Sequence, residues 1–162
     1  METSKHDIID LLGYRVSIEI ICEDDDIVVF NSTPNLSFDF KKHGIKIRHS
    51  DHHDYALRYV VKNGQIFLRG IEVRLSFFNK KTQIFGVNAK AYSKEKQSIF
   101  VFDDIPVEYS GILSIGKTFD PKYWEHDEKT APVPFSPEVY KENGYIKFEN
   151  GIMTEKELIS RK

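Results

Sequence analysis

The residues with the clearest capacity for chemistry lie in the segment HSDHHD, residues 49–54. Four of the six histidines, with two aspartates, fall within twelve residues: His43, His49, His52, His53, Asp51 and Asp54. On an extended chain, alternate side chains share a face, so His49, Asp51 and His53 form a candidate metal-binding trio of the kind a hydrolase uses. The segment lacks the helical histidine pair of many zinc proteases, and no thiolate cluster accompanies it. We interpret it as a solvated turn, with a metal-dependent hydrolase as the alternative.

Acidic residues form a second group of candidates. Glu23 to Asp26 read EDDD between two apolar runs, and Asp103-Asp104 follows the run SIFVF. The pattern of a calcium-binding EF-hand loop is absent, and a glycosidase pair of carboxylates would need a suitable separation. Such runs are typical of solvated turns, but they also suit an acidic face that docks a basic protein. The predicted partner-binding residues are Asp24, Asp25, Asp26, Asp103 and Asp104, with Trp124 as an aromatic anchor.

Two further motifs are interpreted as structural. Cys22 ends the apolar run VSIEIIC, which favours a buried, inert thiol over a nucleophile. The segment GILSIGKT matches the spacing of a phosphate-binding loop on paper. Its apolar, β-forming interior and the nearby Asp120-Pro121 leave no helix to anchor a phosphate, so no nucleotide or other cofactor is expected.

Composition limits the function classes. The chain has 162 residues, 40% of them hydrophobic, and a formal net charge of −2. These values predict one globular domain and give no overall basic field for nucleic acid or a membrane surface. A single cysteine and the absence of a long apolar run suggest a reducing, cytoplasmic location.

Alternating apolar residues predict a mainly β fold. YRVSIEIIC, IVVF, LSFDF, IKIRH, SIFVF and YIKF alternate or run apolar as strands do. YALRYVV and QIFLRGIEVRLSFF flank Asn63-Gly64, a hairpin signal. The second run is long for one strand, and Gly70 predicts a bulge or bend inside it. Short strands are also predicted at Val107–Tyr109 and Ile112–Ile115, and a proline-rich loop at residues 120–143. Short helices are predicted at HDIIDLL, near SPEVYKENG and at MTEKELISRK.

These elements predict an antiparallel β-sandwich or a rolled open sheet with one or two short helices. The helices are too few and too short for the crossovers of a parallel sheet, which is therefore not expected. The region from YSGILSIGKTF to YIKFENG resembles one end of certain small bacterial proteins that have a glycine-bounded strand and an aromatic, proline-containing loop.

In size and character the chain is also similar to bacterial immunity proteins, such as those of contact-dependent inhibition. That resemblance implies a cytoplasmic protein that binds and occludes a cognate toxin without catalysis. The alternatives are the metal-dependent hydrolase, and a β domain that binds a small ligand or carbohydrate through its aromatic loop.

Overall fold

A computed structural model describes residues 3–31, 36–49, 53–75, 82–89, 91–92, 97–122 and 137–160. The strands are β1 Thr3–Ile9, β2 Arg15–Cys22, β3 Ile27–Asn31, β4 Tyr55–Lys62, β5 Gln65–Val73, β6 Gln83–Ile84, β7 Val87–Asn88, β8 Ala91–Tyr92, β9 Ser98–Pro106, β10 Gly111–Phe119, β11 Tyr140–Glu149 and β12 Ile152–Ser160. Short 3-10 segments occupy Lys41–His43 and Pro137–Val139, and the described residues contain no α-helix.

One strongly curled open sheet contains all strands except the small β6–β7 hairpin. Its main order is β1-β2-β4-β5-β12-β11-β10-β3, and β9 pairs with β5 on a side branch that also carries β8. The end strands β1 and β3 approach within 8 Å at their Cα atoms, although no ladder joins them in the described chain. The predicted mainly β, rolled open sheet is thus confirmed, and its shape is close to half a barrel.

The sheet is mixed, which corrects the expectation of purely antiparallel pairing. β2 and β4 run parallel, in a register that aligns Val16 with Tyr55 and Cys22 with Val61. The described part of the connection between them, residues 23–31, 36–49 and 53–54, contains β3 and a 3-10 segment and no helix of the kind that such crossovers usually contain. Without a helical pattern in this segment, the sequence gives no local signal of the parallel pairing.

Two hairpin turns join the halves of the sheet where β5 and β12 begin. Ile152 pairs with Gln65, the N–H of Ile66 donates to the Gly151 carbonyl, and the N–H of Met153 donates to the Gly64 carbonyl. Asn63-Gly64 and Asn150-Gly151 all have positive φ, as the two central residues of tight type I′ hairpins require. The predicted hairpin at Asn63-Gly64 is confirmed.

The core fills the concave side of the sheet. In β2 the buried positions alternate as predicted, and the same side of neighbouring strands adds aliphatic and aromatic residues: Val16, Ile18, Ile20, Cys22, Tyr55, Leu57, Ile66, Leu68, Phe100, Leu113, Ile115, Ile146 and Phe148. Burial raises the pKa of the Cys22 thiol to about 11, which is consistent with an inert thiol. GILSIGKT lies within β10, so this segment is extended and not a phosphate loop.

Several local predictions are wrong. The predicted helices at HDIIDLL and MTEKELISRK coincide with β1 and β12, and the predicted strands at LSFDF and IKIRH are irregular apart from a bridge between Ile47 and Leu75. Residues 107–109 form no strand either. Short helices are marginal on their own, so pairing with β2 and β11 overrides the local helical pattern. Near SPEVYKENG, only Pro137–Val139 is helical, and β11 follows directly.

The bulge predicted at Gly70 is present, and it changes the direction of the Arg69 side chain. Arg58 pairs with Gly70 and Tyr59 with Leu68, so Arg69 is the extra residue with no partner across the ladder. The pairing of β5 with β9 shifts at the same place. Bulges of this kind turn the extra residue's side chain away from its regular position.

Gly144→Ala tests the close approach of β11 and β12. A Cβ at Gly144 would lie 1.7 Å from the Glu157 carbonyl oxygen, a backbone atom that cannot move away freely. We expect this variant to lose about 3 kcal/mol of unfolding free energy in urea titrations. Gly64→Ala is the control: its space is open and its φ is +72°, so only strain of about 1 kcal/mol is expected. Equal losses in the two variants would contradict the described packing.

Candidate binding face

The turn between β1 and β2 projects leucines into solvent. This leucine turn comprises Asp10, Leu11, Leu12 and Gly13, and the exposed fractions of Ile9, Leu11 and Leu12 are 59%, 87% and 61%. The N–H groups of Leu12 and Tyr14 both donate to Oδ1 of Asp10, each at 2.9 Å. Asp10 and Tyr14 are joined again by a backbone hydrogen bond. The turn is therefore fixed by hydrogen bonds, although its apolar side chains are exposed.

A buried tyrosine supports the leucine turn from below. The Tyr55 hydroxyl donates to Oδ2 of Asp10 at 2.6 Å, and it accepts from the N–H of Phe38 at 3.3 Å. Burial, followed by the hydrogen bond to Asp10, raises the pKa of Tyr55 well above its usual value, so the hydroxyl stays protonated. Tyr55 reaches this position because the parallel register places it beside Val16, close to where β2 begins.

Asp54 ties the same end of β4 to β2 and to the histidine segment. Its Oδ2 accepts from the Arg15 N–H at 2.8 Å, and its own N–H donates to the Arg15 carbonyl. Its Oδ1 lies 3.0 Å from Nδ1 of His49, whose ring also packs near Tyr14. Asp54 is buried whereas the His49 side chain is 79% exposed. A buried carboxylate therefore orients an exposed imidazole beside the leucine turn.

An apolar depression lies next to the leucine turn. It has a volume of about 290 Å³ and is lined by Leu12, Tyr14, Phe38, Phe40, Ile45 and Ile47, with Lys41 and Lys46 at its border. Residues 41–49, KKHGIKIRH, hold four lysines and arginines and no acid. All four of these cations, Lys41, Lys42, Lys46 and Arg48, are exposed. We call the leucine turn, the depression and its basic border the binding face.

Aromatic contacts hold the irregular chain that forms this face. Phe38 packs against Phe40 with ring centroids 4.7 Å apart and stacks on His43 at 5.0 Å. Phe40 in turn packs against Tyr55 at 4.9 Å, and Phe85 contacts Phe38. These contacts connect the surface to the core, so the depression is supported by packed rings even though the segment forms no strand.

The predicted acidic residues gather at the opposite end of β2 and β4. Arg69, the bulged residue, donates to both carboxylate oxygens of Asp104 at 2.9 and 3.0 Å, and to Glu23 at 2.8 Å. Lys62 also donates to Asp104, at 2.6 Å. Arg69, then Lys62, lower the pKa of Asp104 to about 2. Asp104 therefore lies in an internal ion-pair network rather than on an open acidic face.

The EDDD turn is bound in the same way. Asp25 contacts Lys117 at 2.8 Å and Lys156 at 3.1 Å, and these cations, Lys117 first, lower its pKa. Asp24 accepts from the Asn63 N–H at 2.5 Å, which fastens the turn to the β4–β5 hairpin. We call this group, together with Glu23, Lys62, Arg69 and Asp104, the charged cluster. It joins the turn after β2 to β4, β5, β9, β10 and β12.

The remaining predicted contacts have different outcomes. Asp26 lies in the EDDD turn, where the N–H of Asp26 donates to Oδ1 of Asp25. Asp103 is exposed beside the charged cluster. Trp124 lies outside the described residues. Partner binding by these side chains stays a prediction, and the cations bound to Asp25 and Asp104 reduce the charge those two acids can offer.

The histidines occupy separate surroundings in the described chain. His49 contacts Asp54, whereas Nε2 of His53 is buried, and the Gln97 side-chain amide donates to the His53 backbone carbonyl. His43 stacks on Phe38. Within the residues that the structure describes, no group of three His, Cys, Asp or Glu is arranged to hold a metal ion. Asp51 and His52 fall outside them, so the trio with Asp51 stays a prediction.

Sequence reasoning missed the leucine turn and the cations of the charged cluster. The predicted helix HDIIDLL includes Leu11 and Leu12. The signal for a turn is the sequence Asp-Leu-Leu-Gly, which places two apolar residues between two turn-forming ones. Lys117 and Lys156 are far from Asp25 in the sequence and carry no local signal of their contact with it.

Asp104→Asn tests the charged cluster. Because its pKa is lowered on folding, Asp104 stabilises the protein above pH 4, and this contribution disappears as the pH falls toward 2. We expect Asp104→Asn to lose about 1 kcal/mol at pH 7 and to show a smaller fall in stability between pH 4 and 2. Asp103→Asn, at the exposed neighbour, is the control for urea titrations across this pH range. An unchanged pH profile in Asp104→Asn would contradict the ion pairing.

Comparisons with protein-family models, curated proteins and solved structures find no match to this chain. The described part of the chain contains no helix with the length and hydropathy needed to cross a membrane.

Proposed function

We propose that this chain is a binding protein of the immunity type, which docks on a cognate toxin and occludes its active site. The observation that carries the proposal is the leucine turn with the adjacent Ile9: Ile9, Leu11 and Leu12 are exposed on a backbone that Asp10 and Tyr55 hold by hydrogen bonds. The toxin as partner, and a cytoplasmic place of action, come from the resemblance to immunity proteins. Binding of this kind needs a stable scaffold and a complementary surface, and no bond-making step.

Exposed apolar groups support binding when they are grouped and preorganised. Single exposed leucines are common on protein surfaces, but here they adjoin the depression lined by Phe38, Phe40 and Ile47. A turn already fixed by hydrogen bonds loses little further conformational entropy on docking. The leucine turn is therefore suited to insert into an apolar pocket of a partner.

Exposed cations around the depression indicate the charge of the partner surface. Lys41, Lys46 and Arg48 are exposed around the depression, and the nearby carboxylates of Asp10 and Asp54 are buried and hydrogen-bonded. An apolar centre with a polar rim is the usual anatomy of such interfaces. We expect a partner surface that has acidic residues around an apolar pocket, because opposite charges select partners and speed association.

Leu12→Asp tests this function against the protein encoded next to this chain in its genome. A charge placed in an apolar contact must be desolvated, so we expect Leu12→Asp to weaken binding at least about 30-fold, or roughly 2 kcal/mol. The measurements are isothermal titration calorimetry with the purified neighbouring protein, and rescue of growth when the two are co-expressed.

The matched control is Ile159→Asp. Ile159 is 60% exposed, against 61% for Leu12, and lies on β12, away from the binding face. This variant should bind and rescue like the parent chain, and urea titrations should confirm that both variants fold. Equal binding by Leu12→Asp and the parent would contradict the binding face. Absence of any binding or rescue by the parent would contradict the proposed toxin partner.

A further inference from the structure

A polar cleft lies on the convex face of the sheet, on the side opposite the core. It crosses four strands in two adjacent rows, since Ser17, Ala56, Glu72 and Ile99 pair in sequence across the sheet, and so do Glu19, Arg58, Gly70 and Val101. The cavity has a volume of about 150 Å³. We call it the outer cleft. The small residues Ala56 and Gly70 form its floor, and longer side chains form its walls.

In the outer cleft, one carboxylate has no counter-ion among the described residues. Glu19 is paired with Arg58, with 3.5 Å between Oε1 and Nε. Glu72 is half-buried and makes no hydrogen bond or ion pair with the described residues. Because Arg58 is matched by Glu19, the lining carries one unbalanced negative charge, at Glu72.

A ring nitrogen adds a hydrogen-bonding group to the same cleft. Nε2 of His53 is buried and has no partner among the described residues, and His53 is one of the lining residues. Buried polar atoms are almost always hydrogen-bonded, so an unsatisfied one beside a cavity indicates a missing partner. When the imidazole proton is on Nδ1, Nε2 is a hydrogen-bond acceptor. The outer cleft then offers three kinds of acceptor: Nε2 of His53, the carboxylate of Glu72 and the hydroxyl oxygen of Ser17.

We propose that the outer cleft binds an organic cation through a guanidinium or primary ammonium group. Such a group has only donors, which match the acceptors of the lining, and its positive charge balances Glu72. The cation comes either from a small molecule or from an arginine or lysine side chain of a partner. The outer cleft is separate from the binding face, so this inference does not rest on the toxin proposal.

Methylguanidinium and methylurea are the probes, because they share a planar shape and differ in charge. We expect methylguanidinium, at concentrations well below denaturing ones, to shift the backbone amide signals of Ala56, Gly70 and Glu72 in ¹⁵N-resolved NMR spectra. Methylurea should leave these signals unchanged. Equal shifts with both probes, or no shift with methylguanidinium, would overturn the proposal.

Two variants test whether Glu72 and Ala56 take part in binding the cation. Glu72→Gln keeps the side-chain shape, and we expect its affinity for methylguanidinium to fall about fivefold or more. Ala56→Leu fills the floor and should abolish the shifts without changing charge. Glu108→Gln, at an exposed acid outside the cleft, is the control and should titrate like the parent. A Glu72→Gln variant that titrates like the parent would also overturn the proposal.

A third probe identifies the source of the cation. It is a blocked glycine pentapeptide with one central arginine, titrated under the same conditions. Tighter binding than methylguanidinium would assign the outer cleft to a side chain of a partner, because peptide contacts add to those of the guanidinium. Equal or weaker binding would assign it to a small organic cation.

Discussion

The parallel pairing of β2 with β4 is the constraint on which the rest of the structure depends. Its register places Tyr55 beside Val16 and Cys22 beside Val61. At the starting end, Tyr55 therefore reaches Asp10 under the leucine turn, and Asp54 reaches Arg15 and His49. A register shifted by one residue would turn Tyr55 away from the core and leave Asp10 without this partner.

The same pairing separates two kinds of surface. At the finishing end of β2, the acids of the EDDD turn pair with Arg69, Lys117 and Lys156, and these ion pairs fasten the end of β2 to β5, β10 and β12. At the starting end, the exposed leucines lie on a turn held by the buried, hydrogen-bonded Asp10, and exposed lysines border the adjacent depression. An acidic sequence run is therefore a poor guide to an acidic surface, since its charge can be balanced by cations distant in the sequence.

Local features of the fold were predictable because their causes lie within a few residues. The alternation of Val16, Ile18 and Ile20, the Asn63-Gly64 turn and the bulge at Gly70 follow from side-chain period and backbone conformation. The order of strands did not follow, because the parallel contact of β2 and β4 links segments more than thirty residues apart. The strands β1 and β12 were mistaken for helices because their partners, not their own patterns, determine their conformation.

The candidate site was harder to predict than the fold. The residue types of the histidine segment predict a possible metal site. In the described part of this segment, Asp54 instead orients the imidazole of His49 at the edge of the binding face. Leu11 and Leu12 are ordinary core residues by type, and only the turn that Asp10 holds makes them a surface. Exposure of this kind depends on tertiary structure and cannot be read from composition.

Hydrogen–deuterium exchange of this chain, alone and bound to the protein encoded beside it, tests the central claim most directly. The account predicts that binding slows exchange at the amides of Leu11 to Tyr14 and of residues 41–47, while the EDDD turn is unaffected. Protection confined to the EDDD turn and the neighbouring β9, with none at the leucine turn, would contradict it.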